Sequence, residues 1–562
     1  MDKKYTVGID FGTLSARAVL VDIHSGHVVC DSVFDYPHGV MDVSLPSGLP
    51  LPADFALQHP KDYLEAFGYT VSEVIKKSSI SPDDIISVGI DFTTCTLIPV
   101  KADGTPVCAD ERFKNEPHAY AKLWKHHAAQ PEADKLNEAA EKFAPYILER
   151  LGGKTSSEWL FPKVMEVLEK VPDVYKNTAY FIEAGDFISW MLTGRQTRSY
   201  VFASYKALYM HDKGYPPKDM LKYIDPRLEN VVEEKLAAPF VYTGEAAGVV
   251  DSLSRERFGV PKGSPWLKTG TVVACPEPDA HCAAPALGIS KSGDMFAILG
   301  TSSNYMLVSD EYKIIPGICG VVKDGLIPGY NAYESGLCCF GDHFDWVVRN
   351  ICPEEYSLEA KKRNISEMEL MSEKAASLAP GECGLLALNW FNGNRNILVD
   401  SSLSGMFLGM TLRTRPEDMF RAIVEANAFG TRVIIENFEK HGAVVERLAA
   451  AGGITAKSPF VMQTMADVLG KTLCVSGYVH SSALGAAIYA SVAGGGHKDL
   501  STAIAAMADP CDTVYVPDPE AKKIYDRLYE EYIKLHDYFG RGENDVMKHL
   551  KEISTYAKED TK

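Results

Sequence analysis

The sequence predicts an α/β protein built from two similar halves, and two observations predict this fold class. First, an apolar strand, a Gly-Thr turn and a second apolar strand occur in this order twice, at residues 7–21 and 296–308. Second, a chain of 562 residues is too long for one hydrophobic core, so two or more domains are expected. A hairpin near the start and its repeat near the middle therefore indicate a duplicated domain.

The first hairpin carries residues suited to holding phosphate. Gly12 lets the main chain approach a ligand closely, and Thr13 adds a hydroxyl beside free N–H groups. Asp10 ends the first strand, and a carboxylate beside a phosphate site requires a hard cation such as Mg²⁺ between them. We therefore predict that Asp10 is a metal-binding residue. The alternative is an ordinary hairpin in which these residues only form the turn.

The second hairpin repeats the small polar turn without the carboxylate. Its turn consists of Gly300, Thr301 and Ser302. Two such turns predict that the phosphates of a nucleotide are held between the two halves. The halves are not equivalent, because only the first supplies an acidic side chain.

The elements after the first hairpin fit an α/β domain. A third strand is predicted at residues 28–36, a long loop at 37–60 and an amphipathic helix at 62–77. The next strand, at 86–90, runs into the polar sequence Asp-Phe-Thr-Thr, which ends at Thr94. Ligands usually bind at the carboxyl ends of strands in such domains, so Thr94 is a candidate ligand contact.

Residues 101–265 are more than an isolated nucleotide-binding domain needs. Within them, Trp124, Glu158 and Lys206 lie in turn-rich or polar sequence. Tryptophan beside charged residues suits a pocket for a polyhydroxylated ligand. The alternative is that Trp124 and Trp159 are core residues of helices, which is the commoner outcome for a single tryptophan.

The first half is predicted to end soon after a further strand. The strand at 272–275 is followed by Asp279 and His281, which emerge at its end. These two side chains also have spacing compatible with a metal centre, although no third ligand follows in ligand spacing. We predict two domains, residues 1–288 and residues 289–562.

Glycines mark the turns of the second half. A strand runs into a helix over residues 404–425, and another strand ends at Gly452 and Gly453. Glycine at a strand-to-helix turn leaves room for a base or a phosphate, although a tight turn alone would also use it. A helix is predicted at 519–539, followed by a charged, frayed tail.

Composition excludes several classes of function. The net charge of −18 argues against nucleic acid or an anionic membrane as the main partner. No apolar run is long enough for a transmembrane helix, and no secretion signal precedes the first strand. The twelve cysteines are dispersed, which predicts reduced thiols in a cytoplasmic protein.

Together these stretches resemble the FGGY carbohydrate kinases, which belong to the actin, Hsp70 and hexokinase superfamily. The resemblance covers nearly the whole chain. The segments that carry it are residues 10–13, 300–302, 452–453 and, above all, 405–425, which matches the C-terminal signature of the family position by position. It implies an RNase-H-like fold in each half, a nucleotide and sugar cleft between the halves, ATP and Mg²⁺ as cofactors, and a homodimer.

The resemblance also implies roles for individual residues. Asp279 would be the general base that takes the proton from the sugar hydroxyl. The first domain would bind the sugar and the second would bind ATP. The residues that would contact the sugar are Thr94, Lys206, Glu334, Trp124 and Glu158. Those that would contact ATP are Gly12, Thr13, Gly300, Thr301, Ser302, Gly409, Gly452 and Gly453, and Asp10 would reach Mg²⁺.

Five further stretches are similar to the family members that phosphorylate L-ribulose in L-arabinose catabolism. They are residues 123–127, 156–159, 317–320, 390–393 and 428–432. This similarity implies transfer of the γ-phosphoryl group of ATP to form L-ribulose 5-phosphate. A kinase for another ketopentose or polyol, such as D-ribulose, xylulose or ribitol, is the alternative. The chain departs from the family at Ser458, where an asparagine that contacts adenosine is common.

Two other classes of protein are compatible with the fold. An ATP-dependent chaperone or filament protein would share it, but the region 101–265 and the absence of an appended peptide-binding domain argue against that class. A sugar-sensing regulator would need a DNA-binding module, and the sequence shows no helix-turn-helix pattern or basic segment ahead of Tyr5.

Overall fold

The computed structural model describes residues 4–478, 480–509, 511 and 513–559, the last five by their backbone only. The strands are β1 Tyr5–Phe11, β2 Ser15–Asp22, β3 Val28–Asp35, β4 Leu57–Gln58, β5 Ile85–Phe92, β6 Leu97–Val100, β7 Ala121–Lys122, β8 Tyr180–Glu183, β9 Arg198–Ser199, β10 Phe240–Val241, β11 Ala246–Val249, β12 Val272–Ala274, β13 Glu277–Pro278, β14 Asp294–Leu299, β15 Ser303–Ser309, β16 Gly320–Lys323, β17 Asn331–Leu337, β18 Leu386–Leu388, β19 Met406–Leu408, β20 Arg447–Ala451, β21 Leu473–Val475 and β22 Thr513–Tyr515.

The α-helices alternate with these strands along much of the chain. They are α1 Pro60–Ser78, α2 Gln130–Phe143, α3 Pro145–Arg150, α4 Leu160–Lys170, α5 Pro172–Asn177, α6 Ala184–Thr193, α7 Tyr200–Lys206, α8 Lys218–Ile224, α9 Ser254–Arg257, α10 Asp279–Ala286, α11 Gly341–Ile351, α12 Glu354–Arg363, α13 Glu367–Ala376, α14 Pro416–Lys440, α15 Pro459–Leu469, α16 Ser481–Ala493, α17 Leu500–Met507, α18 Pro519–Gly540 and α19 Val546–Glu559.

The chain divides into two compact units that are not continuous in sequence. The first unit comprises Met1–Lys291, Val321–Ala332 and His480–Pro510. The second unit comprises Ser292–Gly320, Tyr333–Val479 and Cys511–Lys562. The predicted domains, 1–288 and 289–562, differ from this grouping because two later segments join the first unit.

The central sheet of the first unit contains the predicted hairpin. Its strand order is β11-β12-β5-β1-β2-β3, with β13 beside β5. Strand β1 is antiparallel to β2 and parallel to β5, and this second pairing places Asp10 opposite Asp91. Register partners on neighbouring parallel strands point to the same face of a sheet, so these two carboxylates share a face.

Helix α16 covers the central strands of that sheet, which explains why a late segment belongs to the first unit. A Cβ atom added at Gly8 would lie 1.9 Å from the carbonyl oxygen of Ala483, and one at Gly89 would lie 2.0 Å from that of Ala486. Glycines at these two strand positions let the helix backbone approach the sheet directly. The small side chains of α16 are therefore required for packing.

The second unit repeats the plan of the first. Strands β15, β14, β20, β21 and β22 are neighbours in that order. As in the first unit, the hairpin β14–β15 is antiparallel and its first strand is parallel to a later strand, β20. The predicted repeat is therefore confirmed. The residues opposite each other at the equivalent position are Ile298 and Ala451.

The region between the first hairpin and β12 builds an additional layer with its own core. A four-stranded sheet has the order β4-β7-β6-β8. Buried apolar side chains of helices α2 to α5 pack with it, among them Leu136, Ile147 and Phe161. This layer belongs to the first unit and carries most of the predicted sugar-binding residues.

Two expectations about the C-terminal region are wrong. The tail forms helix α19 instead of fraying, because Met547 is buried and the ammonium of Lys551 donates hydrogen bonds to the carbonyl oxygens of Ser401 and Leu403. The cysteines are not all thiols, since Cys474 and Cys511 form a disulfide. Among the described residues, no helix is long and apolar enough to cross a membrane.

Candidate active site

The turn of the first hairpin is compact but uncrowded. The N–H of Gly12 donates to the carbonyl oxygen of Ser15 over 3.0 Å, which closes the turn. Nη1 of Arg17 donates to Oδ2 of Asp10 over 2.9 Å. A Cβ atom added at Gly12 would meet no atom closer than 3.5 Å. The turn thus presents open main chain beside a carboxylate that a guanidinium already orients.

Three carboxyl groups meet at this end of the sheet. Asp10 and Asp91 are register partners on β1 and β5, and Asp279 begins α10 directly after β13, the strand that pairs with β5. In the described part of the chain, no N–H or O–H group donates to either carboxylate oxygen of Asp91, which is fully buried. Its side chain interacts instead with the carboxyl group of Asp10 and the thiol of Cys282. A buried carboxyl group without an N–H or O–H donor is rare, so Asp91 is a candidate for a functional site.

The electrostatics of these carboxyl groups suit proton transfer near neutral pH. Burial, together with the neighbouring charge of Asp10, raises the pKa of Asp279 to about 7. Burial raises the pKa of Asp91 well above its ordinary value, and Asp10 and Asp279 raise it further. A carboxylate whose pKa lies near the working pH can accept a proton and later release it. Asp279 therefore has the properties of a general base.

Of the two tryptophans in question, only one lies in a pocket-like setting. Trp124 is 39% exposed, and its Nε1 donates to the hydroxyl of Thr13 over 3.2 Å, so it touches the phosphate turn. Trp159 is 6% exposed and is a core residue, as the alternative interpretation predicted. Nζ of Lys206 lies 5.3 Å from the centroid of the Trp159 ring.

The remaining sugar candidates of the first unit lie on short turns. Thr94 follows β5 and is half-buried. Glu158 precedes α4, and its Oε1 lies 3.8 Å from Nε2 of His127. Both Lys206 and Glu158 act electrostatically on the Cys95 thiol, the residue next to Thr94. Hence Thr94, Glu158 and Lys206 face one neighbourhood.

Glu334 belongs to the other unit. It lies within β17, is buried, and its carbonyl oxygen accepts a hydrogen bond from the N–H of Cys319 over 2.8 Å. The structure therefore does not bring it together with the other predicted sugar contacts inside a single unit.

The turn of the second hairpin is held by main-chain hydrogen bonds. The N–H of Gly300 donates to the carbonyl oxygen of Ser302 over 3.0 Å. The N–H groups of Phe340 and Gly341 donate to the carbonyl oxygens of Thr301 and Gly300 over 2.8 and 3.0 Å. The start of α11 thereby fixes this turn without any charged side chain.

The three other predicted glycines differ in what surrounds them. Gly452 adopts a φ of 119°, and an added Cβ atom would lie 2.3 Å from the carbonyl oxygen of Leu299. A Cβ atom at Gly453 would meet nothing within 4 Å, so this main chain is open. Gly409 has a φ of 96° and packs on the main chain of Gly384, which explains the glycine by a turn alone.

Two other sequence expectations concern single side chains. The hydroxyl of Ser458, the residue that replaces the family's asparagine, accepts the N–H of Val461 and caps α15. In the part of the chain that the structure describes, no group of three or more His, Cys, Asp or Glu side chains is arranged to hold a metal ion. The metal-centre interpretation of Asp279 and His281 thus has no support. The sequence placed Asp91 at a strand end where ligands usually bind, but it did not indicate a role for this carboxylate.

Family models match most of the chain. The N-terminal domain of the FGGY family of carbohydrate kinases matches residues 5–271, and the C-terminal domain of that family matches residues 295–494. A ribulokinase of Bacillus licheniformis is 47% identical over 96% of this chain and 97% of that protein. A ribulokinase of Geobacillus thermodenitrificans is 45% identical over 100% of this chain and 99% of that protein.

Solved structures show the same fold at low sequence identity. The xylulose kinase of Rhodospirillum rubrum superposes with a TM-score of 0.77 at 21% identity, covering 95% of this chain and 98% of that one. The glycerol kinase of Plasmodium falciparum superposes with a TM-score of 0.74 at 17% identity over 95% and 98% of the two chains. The two matched domains and the near-full-length ribulokinase relatives lead to one conclusion: this chain belongs to the FGGY family of carbohydrate kinases, enzymes that use ATP.

Proposed function

We propose that this kinase transfers the γ-phosphoryl group of ATP to the 5-hydroxyl of L-ribulose, forming L-ribulose 5-phosphate in L-arabinose catabolism. The observation that carries the proposal is the identity of 47% over 96% of the chain to a protein named ribulokinase. The solved xylulose kinase shares only 21% of its residues with this chain. A cytoplasmic location and a homodimer belong to the same proposal.

In this proposal Asp279 is the general base. Its carboxylate, with a pKa raised to about 7, accepts the proton of the sugar hydroxyl as the oxygen attacks the γ-phosphorus in line with the leaving group. General-base assistance typically contributes about 10²- to 10⁴-fold to the rate. Positioning and electrostatic stabilisation supply most of the rest in phosphoryl transfer.

The two Gly-Thr turns are proposed to hold the phosphates. Gly12 and Gly300 leave open main chain at each turn, and Thr13, Thr301 and Ser302 add hydroxyl groups. Main-chain N–H groups at such turns form concave sites that favour anions.

The adenosine is proposed to lie at the end of β20. Gly452 and Gly453 follow that strand, and only the second of them has open space on its Cα. Gly409 stays a predicted ATP contact. Its packing on Gly384 supplies a structural reason for the glycine that does not depend on ATP.

The carboxyl groups fit a magnesium site completed by phosphate. Mg²⁺ prefers oxygen ligands and is usually bound by one or two carboxylates together with substrate phosphates and water. The buried carboxyl group of Asp91 beside Asp10 supplies such oxygens, and a three-residue protein cage is not needed. We propose that Asp10 holds Mg²⁺, directly or through water. The ion, when bound with ATP, would neutralise phosphate charge.

The sugar is proposed to bind in the first unit around the turn after β5. Thr94 and Lys206 would hydrogen-bond its hydroxyl groups, with Trp124 and Glu158 at the rim. Glu334, which belongs to the other unit, stays a predicted sugar contact.

A panel of acceptors tests the proposed substrate. Steady-state kcat/KM with saturating ATP and Mg²⁺ would be measured for L-ribulose, D-ribulose, L- and D-xylulose, ribitol and glycerol. We expect L-ribulose to be preferred. Turnover restricted to xylulose or glycerol would overturn the substrate and keep the kinase, and Thr94→Ala should raise the KM for the preferred sugar without changing that for ATP.

A further inference from the structure

Lys163 is a buried lysine that contacts three segments carrying proposed sugar contacts. It occupies the first turn of α4 and its side chain is fully buried. Its Nζ donates one hydrogen bond of 2.6 Å to the carbonyl oxygen of Cys95 and one of 2.8 Å to that of Leu123. Both acceptors are main-chain atoms that lie far apart in sequence.

Each bonded carbonyl adjoins a residue of the proposed sugar site. Cys95 directly follows Thr94, and Leu123 directly precedes Trp124. The lysine itself lies one helical turn after Trp159, whose carbonyl oxygen accepts the N–H of Lys163 over 3.5 Å. One ammonium group therefore connects the turn after β5, the end of β7 and the start of α4.

We propose that Lys163 is a positioning residue that holds these three segments in the geometry needed to bind the sugar. The inference rests on the proposed function, because it takes Thr94, Trp124 and Glu158 as sugar contacts. The sugar site of this protein would then be formed before the sugar binds, which lowers the entropic cost of binding.

The chemistry of the site supports this role over a merely stabilising one. Lys122, in the same layer, is equally buried but forms an ordinary ion pair with Glu166 over 2.7 Å. Lys163 instead directs both hydrogen bonds to main-chain carbonyls. Burial lowers the pKa of Lys163 to about 8, and the nearby carboxylates of Glu183 and Glu158 offset part of this effect. Because the hydrogen bonds of the ammonium go to main-chain carbonyls, they fix the backbone of the segments that carry those groups.

The backbone at Cys95 shows what the lysine enforces. Cys95 has a φ of 64°, in the left-handed region that disfavours residues other than glycine. The charge-assisted hydrogen bond to its carbonyl group offsets this strain. Without the ammonium, the turn would relax and Thr94 would move with it.

The test compares Lys163→Met with Lys235→Met. Lys235 is a matched control, because its Nζ also donates to two main-chain carbonyls, those of Tyr175 and Thr178, away from the sugar segments. Displacing a contact by about 1 Å can cost on the order of 100-fold. For Lys163→Met we expect the KM for L-ribulose to rise about 10- to 100-fold, with the KM for ATP unchanged. Lys235→Met should leave both values unchanged.

A compensating change separates positioning from loss of stability. Cys95→Gly removes the strain of the left-handed turn, so it should lower the sugar KM again in the Lys163→Met background and have little effect in the parent. A parallel rise of both KM values in Lys163→Met, equal effects of the two lysine changes, or no rescue by Cys95→Gly would each overturn the proposal.

Two further measurements keep the proposal decidable. If Lys163→Met does not fold, amide hydrogen exchange is measured on the parent protein without sugar. Residues 93–97 and 121–126 should already be protected from exchange. Protection that appears only when sugar is added would overturn the proposal. Trp124→Phe and Thr94→Ala test the proposed site separately. If they leave the sugar KM unchanged, the site is wrong; if they raise it and Lys163→Met does not, only the role of Lys163 is wrong.

Discussion

The two Gly-Thr hairpins occupy equivalent places in the two units and differ in charge. In the first unit, Asp10 on β1 lies opposite Asp91 on β5. In the second unit, Ile298 on β14 lies opposite Ala451 on β20. The same arrangement of strands thus carries two carboxylates in one half and two apolar side chains in the other. The comparison teaches that the repeat supplies two similar turns, whereas the carboxylates proposed for acid-base and metal chemistry belong to only one of them.

The two turns are also supported by different means. The first is closed by the main-chain hydrogen bond of Gly12 to Ser15, and side chains add to it through the hydrogen bonds of Arg17 to Asp10 and of Trp124 to Thr13. The second is held by main-chain N–H groups at the start of α11. Side-chain support can respond to a ligand, while main-chain support gives a fixed cradle. The first turn is therefore the half in which single substitutions should alter catalysis most.

The largest effect is expected from removing the proposed base, Asp279, which belongs to the first unit. Asp279→Asn should lower kcat by about 10²- to 10⁴-fold, because the amide cannot accept the proton, while ATP still binds. Steady-state kinetics together with ATP-binding calorimetry would measure this. Asp467→Asn, in the second unit, is the control. The carboxylate of Asp467 accepts a hydrogen bond from the N–H of Asp518, and an amide oxygen can accept the same bond. Equal losses in both variants would contradict the comparison.

The next largest effect tests the fixed cradle of the second half. Gly452→Ala should destabilise the protein by about 2 to 4 kcal/mol, since the added Cβ atom would meet Leu299 and the φ of 119° disfavours alanine. Gly453→Ala has open space, so thermal unfolding should be unchanged and only the KM for ATP should rise. If the two variants have the same unfolding temperature, the contact of Gly452 with Leu299 does not fix this part of the second unit.

A smaller effect concerns the buried carboxyl group of Asp91. At pH 8, Asp91→Asn should stabilise the folded state by about 1 to 3 kcal/mol, because the amide does not ionise and the raised pKa of the carboxyl group costs that free energy, while activity falls. Burial raises the pKa of Asp91, so its destabilising effect is absent below the unfolded-state pKa of about 4 and grows as the pH rises towards the folded pKa. Calorimetric unfolding at pH 5 and pH 8 measures this. A variant less stable than the parent at pH 8 would contradict it.

The smallest effect is expected from adding a charge to the hairpin of the second unit. Ile298→Asp places a carboxylate at the position equivalent to Asp10. Repulsion of the ATP phosphates should raise the KM for ATP about tenfold. Asparagine has nearly the shape of aspartate without its charge, so Ile298→Asn should raise the KM for ATP less. Equal KM values for the two variants would show that charge asymmetry between the turns is unimportant.

Local sequence patterns were sufficient to predict the hairpins and their Gly-Thr turns. Short apolar stretches define β1 and β14, and the turn residues lie within a few positions of each other. The repeat, the fold class and the family follow from these stretches and from residues 405–425. The same local logic indicated that polar residues end β5.

Contacts between distant segments could not be predicted in this way. The surroundings of Asp91 depend on Asp10, Asp279 and Cys282, which lie far from it in sequence, so no short segment determines them. The sequence offers one weak signal for Lys163, its place within a largely apolar stretch of α4. Helix α19 was missed because it depends on Lys551 reaching residues of another segment.

The packing of α16 on Gly8 and Gly89 has a consequence for biosynthesis. The first strands to leave the ribosome belong to the first unit, yet the helix that covers them lies beyond residue 480. At about 5 to 20 residues per second, the nascent sheet waits tens of seconds for its covering helix. During that time its apolar face is exposed to chaperones and to other nascent chains, so synthesis of the C-terminal third sets when the first unit is complete.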